Sequence, residues 1–289
     1  MGKKYNKERY LLDIVVPVFG EWDYAVQALK SIEVGLGKFT DPYRVLLLDN
    51  GTPPFTLNTT GQRIMPAEAS AEALSLLQPE RGDVFHRLEQ NKGYPGGLNF
   101  IVTKGKAPLI LILSADIVLT DGCIEEMVRE MDDSNVGVVG AKLLFPLEDS
   151  PHGRPGTVQH AGHAVQVSGD VYHIYLNWSA DNPRVNVRRE VQSVTGALFM
   201  TRRELWKSIG GMQEYYGAGT YEDADFCLTV RQHGKKVIYN PKAVAYHYVG
   251  GSITHGAMQG RGFDLAANAQ VFKGRWANKG LAWDEWSAY

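Results

Sequence analysis

The sequence predicts an α/β fold, a mostly parallel central sheet flanked by helices with a small second sheet in its later half. Three observations predict it. Leu109-Ile110-Leu111-Ile112-Leu113 is a continuous apolar run leading into Ser114-Ala115-Asp116, the pattern of a strand buried on both faces with a carboxylate at its end. Tyr43 to Asp49 repeats the pattern and is followed by the turn dipeptide Asn50-Gly51. Between it and an earlier apolar run, Leu11 to Val18, the residues Ala25, Ala28, Leu29 and Ile32 recur at helical spacing, which makes a βαβ unit.

In chain order, the first strand ends on Pro17, and Phe19-Gly20-Glu21 leads into the helix that Gly35 and Gly37 stop. Residues 52–83 read as an insertion, rich in Pro, Thr and Gly and then helical from Ala67 to Leu77 behind Pro66. A tolerated surface insertion and a specificity or partner-contact element both suit it. Val84 to Glu89 is a third strand. Asn91-Lys92-Gly93-Tyr94-Pro95-Gly96-Gly97-Leu98-Asn99 is a Gly-rich turn opening a helix, where backbone N–H groups can approach a phosphate or ribose. It matches neither G-x-G-x-x-G nor a Walker loop. A helix over Asp121–Met131 and a strand over Val136–Phe145 follow, then a Pro/Gly-rich seam over 146–156. Val158–Val165 is strand or turn, and Val191–Met200 is a strand broken at Thr195-Gly196-Ala197. Arg203–Ile209 and Tyr221–His233 are helices, the second with acids in its first turn and a Gly234 stop. Val237–Tyr239 and Ala243–His247 are two short strands. From Gly250 the tail is Gly-rich and then aromatic.

The 289 residues include 44% apolar ones, enough for a real core, and the net charge of -2 supplies no field for nucleic acid or an anionic membrane. No run of about 18 apolar residues exists to span a bilayer. The basic N-terminus lacks the apolar core of a signal peptide. Cys123 and Cys227 form no framework, which suits a cytoplasmic chain. The aromatic tail, with Phe272, Trp276, Trp283 and Trp286, offers a peripheral membrane or homo-oligomer contact; packing back on the domain is the simpler expectation.

Seven stretches in order carry a resemblance: Ile14–Val18, Leu48–Gly51, Asn91–Asn99, Val194–Ala197 ahead of Arg202-Arg203-Glu204, Gly210–Glu214, Glu222–Leu228 and Pro241–His247. From about Leu12 to Ser252 the chain resembles an inverting family 2 glycosyltransferase of the GT-A fold, in the rhamnosyltransferase-like branch. The resemblance implies one GT-A domain over 1–250, with a nucleotide-binding half to about 119, an acceptor half over 120–250, and a C-terminal extension over 251–289. It implies a nucleotide-sugar donor, a glycan or other hydroxyl acceptor, and Mn²⁺ or Mg²⁺ to neutralise the leaving diphosphate.

The resemblance also implies site residues. In the family a D-x-D-like motif ends the central strand and holds the metal. Here Ser114 replaces the first acid, so Asp116 stands alone in the metal position, completed by His247. Asp49 matches the acid that bonds the nucleobase, with Pro17 and Val18 lining the same pocket. Asn91, Lys92, Gly96 and Asn99 flank the nucleotide, Ser114 and Ala115 border it, and Gly196 approaches the sugar. Asp223 matches the general base, and Glu222 orients donor or acceptor. From the residues alone, Asp116 also fits a helix cap, Gly196 a strand bulge and Asp225 a charge placed well for the helix dipole. His160, His163 and His173 have no i, i+4 frame and no Cys partners, so no separate zinc site is expected. The loop from His247 to Gln259, with Gly250, Gly251 and Gly256, is expected to close over the donor as a lid. Two rival functions stand beside this one. A nucleotidyltransferase needs a Gly-rich loop with Arg and Lys near the N-terminus, which Phe19-Gly20-Glu21-Trp22 does not supply. A catalytically degenerate nucleotide- or glycan-binding protein has no need of Asp116, Asp223 and His247 together.

Overall fold

The computed structural model describes residues 10–57, 60–148, 151–249 and 264–279, with Trp286. Residues 250–259 of the expected lid, and Trp283, lie outside them. β1 (Leu12–Val18), α1 (Trp22–Leu36) and β2 (Tyr43–Asp49) form the βαβ unit. In the insertion, β3 (Thr56–Leu57) and β4 (Arg63–Ile64) pair as a hairpin before α2 (Pro66–Ser75). β5 (Val84–Arg87), α3 (Gly93–Val102) and β6 (Leu109–Leu113) complete the first half. Then come β7 (Ile117–Leu119), α4 (Cys123–Glu130), β8 (Val136–Leu144), β9 (Val158–His160), β10 (His163–Val165), β11 (Val171–His173) and β12 (Arg189–Glu190). β13 (Leu198–Arg202), α5 (Arg203–Ile209), α6 (Glu222–Gln232), β14 (Lys236–His247) and α7 (Leu265–Trp276) follow.

The main sheet has ten strands. β5, β2, β1 and β6 run parallel, so their carboxyl ends share one edge. β13 lies antiparallel between β6 and β8, β14 runs parallel to β8, and β12 closes the far edge antiparallel. The sheet is thus parallel in its first half and mixed in its second, with the β10–β11 ladder as the small second sheet. Alternation along the strands sends Ile14 and Val16 to the face covered by α1, where Trp22, Ala25 and Leu29 pack. Val15, Leu46 and Ile112 face the other way, toward Leu98 and Ile101 of α3 and toward Trp206 and Phe226. Both faces are apolar because helices cover both.

Several boundaries differ from the sequence reading. Pro17 does not end β1; it pairs with Leu48 in register. Its missing N–H falls on the β6 side, where that ladder has already stopped at Val15. Residues 191–197 are not strand, and β13 starts only at Leu198. The two short strands after Val237 are one, β14, with a register shift between Asn240 and Val244 that accommodates Pro241. α4 begins after Gly122, which is left-handed, with no side-chain cap, so Asp116 is not a helix cap. Phe272 and Trp276 of α7 are buried with Tyr216, Ala224 and Leu228, and Trp286 is buried beside Tyr175. No helix among the described residues is long and apolar enough to cross a membrane.

At the edge opposite the strand carboxyl ends, Asp13 is fully buried in β1. One oxygen accepts from Arg44 Nε at 2.6 Å; the other accepts from Arg203 Nη2 at 2.6 Å and from the N–H groups of Lys106 and Ala107 at 2.8 and 2.9 Å. A Cβ on Gly105 would lie 2.2 Å from that second oxygen, so the turn before β6 tolerates only glycine there. The carboxylate ties β1, β2, α5 and this turn together. Asp13→Ala leaves two guanidinium groups without their counter-charge and should cost about 3–5 kcal/mol in urea unfolding. A loss below about 1 kcal/mol would show that the arginines find water instead.

Candidate active site

A cavity of about 1120 Å³ opens at the edge where β1, β2 and β6 end. Pro17, Val18, Asn91, Lys92, Ser114, Ala115, Asp116, Gly196, Glu222, Asp223 and His247 all line it. Antiparallel pairing explains the convergence of distant segments. Leu198 at the start of β13 lies opposite Leu113 at the end of β6, and Ser114 N–H donates to Ala197 O at 2.9 Å. The turn at Gly196 therefore arrives beside Asp116. β7 pairs with β14 so that His247 lies opposite Ile117, and Tyr248 N–H donates to Asp116 O.

Three of the expected residues stand back from the cavity. Asp49 is fully buried beneath the Asn50–Thr52 turn. Its Oδ1 accepts from Thr52 N–H at 2.8 Å and its Oδ2 lies 2.9 Å from Arg87 Nη1, so it meets the cavity through these two partners, which both line it. Because α3 already starts at Gly93, Gly96 and Asn99 turn with the helix toward residues 212–214. Asn99 donates to Met212 O and Glu214 Oε1 and accepts from Met212 N–H, bracing α3 rather than facing the cavity. Gly96 sits against Lys92 and Glu214.

Other residues take part that the sequence did not single out. Asn50 donates to Gly93 O at 2.9 Å and accepts from Lys92 N–H at 3.2 Å, stitching the end of β2 to the Gly-rich turn. The Asn50-Gly51 turn was legible, but not its partners. Gly93 is left-handed, and a Cβ there would fall 1.8 Å from Gly217 O. Tyr94 donates its hydroxyl proton to Gly196 O at 2.8 Å, so Ser114 Oγ, 2.9 Å away, donates to the Tyr94 oxygen. Burial pushes this phenol well up, and it stays neutral. Ser114, at the position of the missing acid, thus spends its proton on Tyr94.

Asp116 Oδ2 and His247 Nε2 are 3.6 Å apart. His247 Nδ1 lies 3.2 Å from Gln159 Oε1, so a neutral imidazole that donates Nδ1–H to Gln159 turns its Nε2 lone pair toward Asp116. Two ligands about 2.1 Å from one hard cation, at about 90–110° to each other, stand roughly 3.0–3.5 Å apart. The oxygen–nitrogen pair fits such an ion with a small adjustment.

Glu222 and Asp223 open α6. Glu222 is buried, with Oε2 lacking a hydrogen-bond partner among the described residues, while Asp223 is half-buried. Loss of water pushes both carboxyl groups up, and the Asp223 charge raises Glu222 further. Asp223 has compensation: Gly196 N–H donates to Oδ2 at 2.8 Å and Ala224 N–H to Oδ1 at 2.7 Å. The proton therefore belongs on Glu222 and the charge on Asp223. Asp225 is no surface dipole charge. It is fully buried and accepts from Tyr216 OH and Trp276 Nε1, at 2.9 and 3.1 Å.

His160, His163 and His173 do come together, because β10 pairs His163 with His173 across the ladder and β9 brings in His160. Their ring centroids lie 4.6 to 5.0 Å apart. No helical spacing could reveal a cross-strand frame. Burial pushes all three well down, so they are neutral. Thr195 N–H donates to His160 Nε2 at 3.0 Å, so the His160 proton is on Nδ1 and goes to His173 Nδ1, 2.9 Å away. Two nitrogens on one tetrahedral zinc stand about 3.3–3.4 Å apart, and His160 would have to lose that proton. As arranged, His160 links the Thr195 N–H to His173, while His163 packs against both rings and bonds Ser193 Oγ at 3.1 Å, so the trio braces the segment leading into the Thr195–Ala197 turn.

The Glu222 environment predicts a pH dependence. Its folded carboxyl holds a proton above the ordinary value of about 4.3, so the stability it contributes is complete below that value and is lost as pH rises through the folded pKa. Glu222→Gln removes this loss. The melting-temperature difference, variant minus wild type, should grow as pH is raised from about 5 to 8. A flat difference would mean that Glu222 is ionised throughout.

A profile described as glycosyltransferase like family 2 matches residues 81–270. An uncharacterized protein of Sinorhizobium fredii, y4gI, is 25% identical over 279 residues, covering 94% of this chain and 28% of that protein. The O-antigen biosynthesis protein RfbC of Myxococcus xanthus is 29% identical over 163 residues, 54% of this chain and 12% of that one. The chain thus spans less than a third of either relative. Among solved structures, the Pyrobaculum calidifontis mannosyltransferase PcManGT, in complex with GDP-Man and Mn²⁺, aligns with a TM-score of 0.57 at 15% identity, over 83% of this chain and 57% of that one. GalNAc-T7 with UDP, GalNAc and Mn²⁺ aligns with a TM-score of 0.62 at 12% identity, over 84% and 44%. These likenesses show the GT-A fold. With a family match over more than half of its length, running from the Gly-rich turn through Asp116, Asp223 and His247, the chain belongs to glycosyltransferase family 2.

Proposed function

We propose that this glycosyltransferase moves a sugar, with inversion, from a nucleotide-sugar donor to a hydroxyl of a glycan or other acceptor, assisted by Mn²⁺ or Mg²⁺. One observation carries the reading: a single cavity holds both a charged carboxylate, Asp223, and a cation-ready pair, Asp116 with His247, on different walls. The Mn²⁺ named with both structural neighbours supports the metal, and the O-antigen relative supports a polysaccharide acceptor. The buried, free Cys123 and Cys227 suit the cytoplasm.

The donor nucleotide lies along the strand edge, from Arg87 and the Asn50–Thr52 turn toward Asp116. Arg87, held by Asp49, presents its guanidinium to the base. Asp116 and His247 would hold the cation, which would supply positive charge against the leaving diphosphate. Asp223 takes the proton of the acceptor hydroxyl as that oxygen attacks the anomeric carbon. Each Asp223 oxygen already accepts one backbone N–H, which fixes the carboxylate and leaves a lone pair for the proton. Protonated Glu222 is a neutral O–H donor that can hold a sugar hydroxyl without repelling the Asp223 charge. A single charged carboxylate acting as base, with no covalent intermediate, gives inversion.

Asp223→Asn should keep nucleotide and metal affinity nearly intact while turnover of a nucleotide-sugar falls by about 10²- to 10⁴-fold. Near wild-type turnover would remove Asp223 from the base role and favour a different base; no turnover by the wild type itself would favour a binding protein. In titration calorimetry, a nucleoside diphosphate that binds should bind at least about tenfold more tightly with Mn²⁺ than with EDTA, a difference of about 1.4 kcal/mol. Equal affinity would overturn the Asp116–His247 metal site.

A further inference from the structure

We propose that α7, beyond the catalytic domain expected from the sequence, is a positioning element of the active site that acts through Asn268 on the loop presenting Glu222 and Asp223. The proposal rests on the proposed base role of Asp223. Asn268 is 7% exposed, and its side-chain N–H₂ group faces the loop. It donates to Gly219 O at 2.8 Å, Tyr216 O at 2.9 Å and Thr220 Oγ1 at 3.1 Å. Thr220 O lies 3.4 Å from the same nitrogen, so two hydrogens serve four acceptors and the amide sits at the centre of the loop's curl rather than on one residue.

The loop needs a hold. Thr220 and Tyr221, immediately ahead of Glu222, have φ of +81° and +69°, in the left-handed region that a residue with a Cβ adopts at a cost. Such backbone persists only where its surroundings over-determine it. Asn268 provides this from behind. In front, Tyr94 N–H donates to Ala218 O, and Gly217 O packs against Gly93 so closely that no Cβ fits. Gly217, Ala218, Gly219 and Thr220 are themselves cavity wall. The loop is therefore clamped between α7 and the Gly-rich turn, and its direction aims the first turn of α6.

α7 is anchored firmly enough to act as the fixed side of that clamp. Trp276 Nε1 donates to Asp225 Oδ2, and Arg275 Nε pairs with the same oxygen at 3.2 Å. Phe272 packs under Tyr221, with ring centroids 5.1 Å apart. Asp225 lies two residues after Asp223 on α6, so α6 and its loop are held by one helix at two points. Asn268 does not itself line the cavity and touches no group assigned to the chemistry, so its effect passes through the loop to the position of Glu222 and Asp223.

The test compares Asn268→Ala and the equal-sized Asn268→Asp with wild type and with Lys273→Ala, which removes only the surface ion pair of α7 with Asp170. Donor turnover is measured across a nucleotide-sugar panel with Mn²⁺, and amide exchange is followed over residues 216–221. Both Asn268 variants should lose roughly 10- to 100-fold in kcat per folded molecule, with donor KM changed less than about threefold. Their loop amides should exchange faster, and Lys273→Ala should match wild type. Adding Thr220→Gly to Asn268→Ala should restore part of kcat, because glycine takes the left-handed conformation without help. Unchanged kcat per folded molecule in either Asn268 variant, including a loss that only tracks unfolding, would overturn the proposal. If wild type itself turns over no donor, the transferase reading fails; the loop exchange then still decides whether Asn268 holds the loop, and unchanged exchange would overturn that too.

Discussion

Two adjacent carboxyl groups, Glu222 and Asp223, are kept largely from water at the start of one helix. In low dielectric two such charges cannot both persist. The structure resolves this with one proton and several backbone dipoles. The N-terminus of α6 favours negative charge, Gly196 and Ala224 give their N–H groups to Asp223, and Glu222 stays neutral. Much of the site follows from this arrangement. The turn at Thr195–Ala197 must lie where Gly196 can donate, so Tyr94 and His160 are spent on holding that turn.

The sheet separates the work of holding from the work of reacting. At one edge, Asp13 gathers two arginines and two backbone N–H groups around a buried carboxylate. At the other, the same strands end in Asp49 and, just beyond β6, Asp116. The first cluster supplies its buried carboxylate with four donors, although Arg44 Nη2 has no hydrogen-bond partner among the described residues. The second leaves groups open to the cavity, with Asp116 Oδ2 and His247 Nε2 facing each other and Glu222 Oε2 without a hydrogen-bond partner among the described residues. Incomplete satisfaction is a burden in a core and a resource at a binding edge.

β13 connects the two halves. Placed antiparallel beside β6, it brings its first residue, not its last, to the cavity edge. A parallel strand there would carry Gly196 to the Asp13 end, away from Asp116. The break at Thr195-Gly196-Ala197 is therefore the point where the second half of the chain meets the strand edge. The histidines behind it, kept neutral by burial, brace that junction without adding charge beside Asp223.

The sequence by itself determined what depends on local pattern. The apolar runs of β1, β2 and β6, the helical spacing of α1, and the acids and stop of α6 were all legible, since strand and helix periods are written in consecutive residues. Asp116, Asp223 and His247 were legible through ordered motifs, and the structure lines one cavity with them. Tertiary structure alone decided partners contributed from far along the chain. Asp49 is buried because residues 50–52 fold over it and Arg87 covers it. Asn99 turns from the cavity because α3 starts early. His160, His163 and His173 meet across a ladder whose register no short-range spacing encodes, and Asn268 reaches a loop about fifty residues before it. Hydrogen bonds of this kind need two segments brought within about 3 Å, and only the closed chain specifies which segments those are.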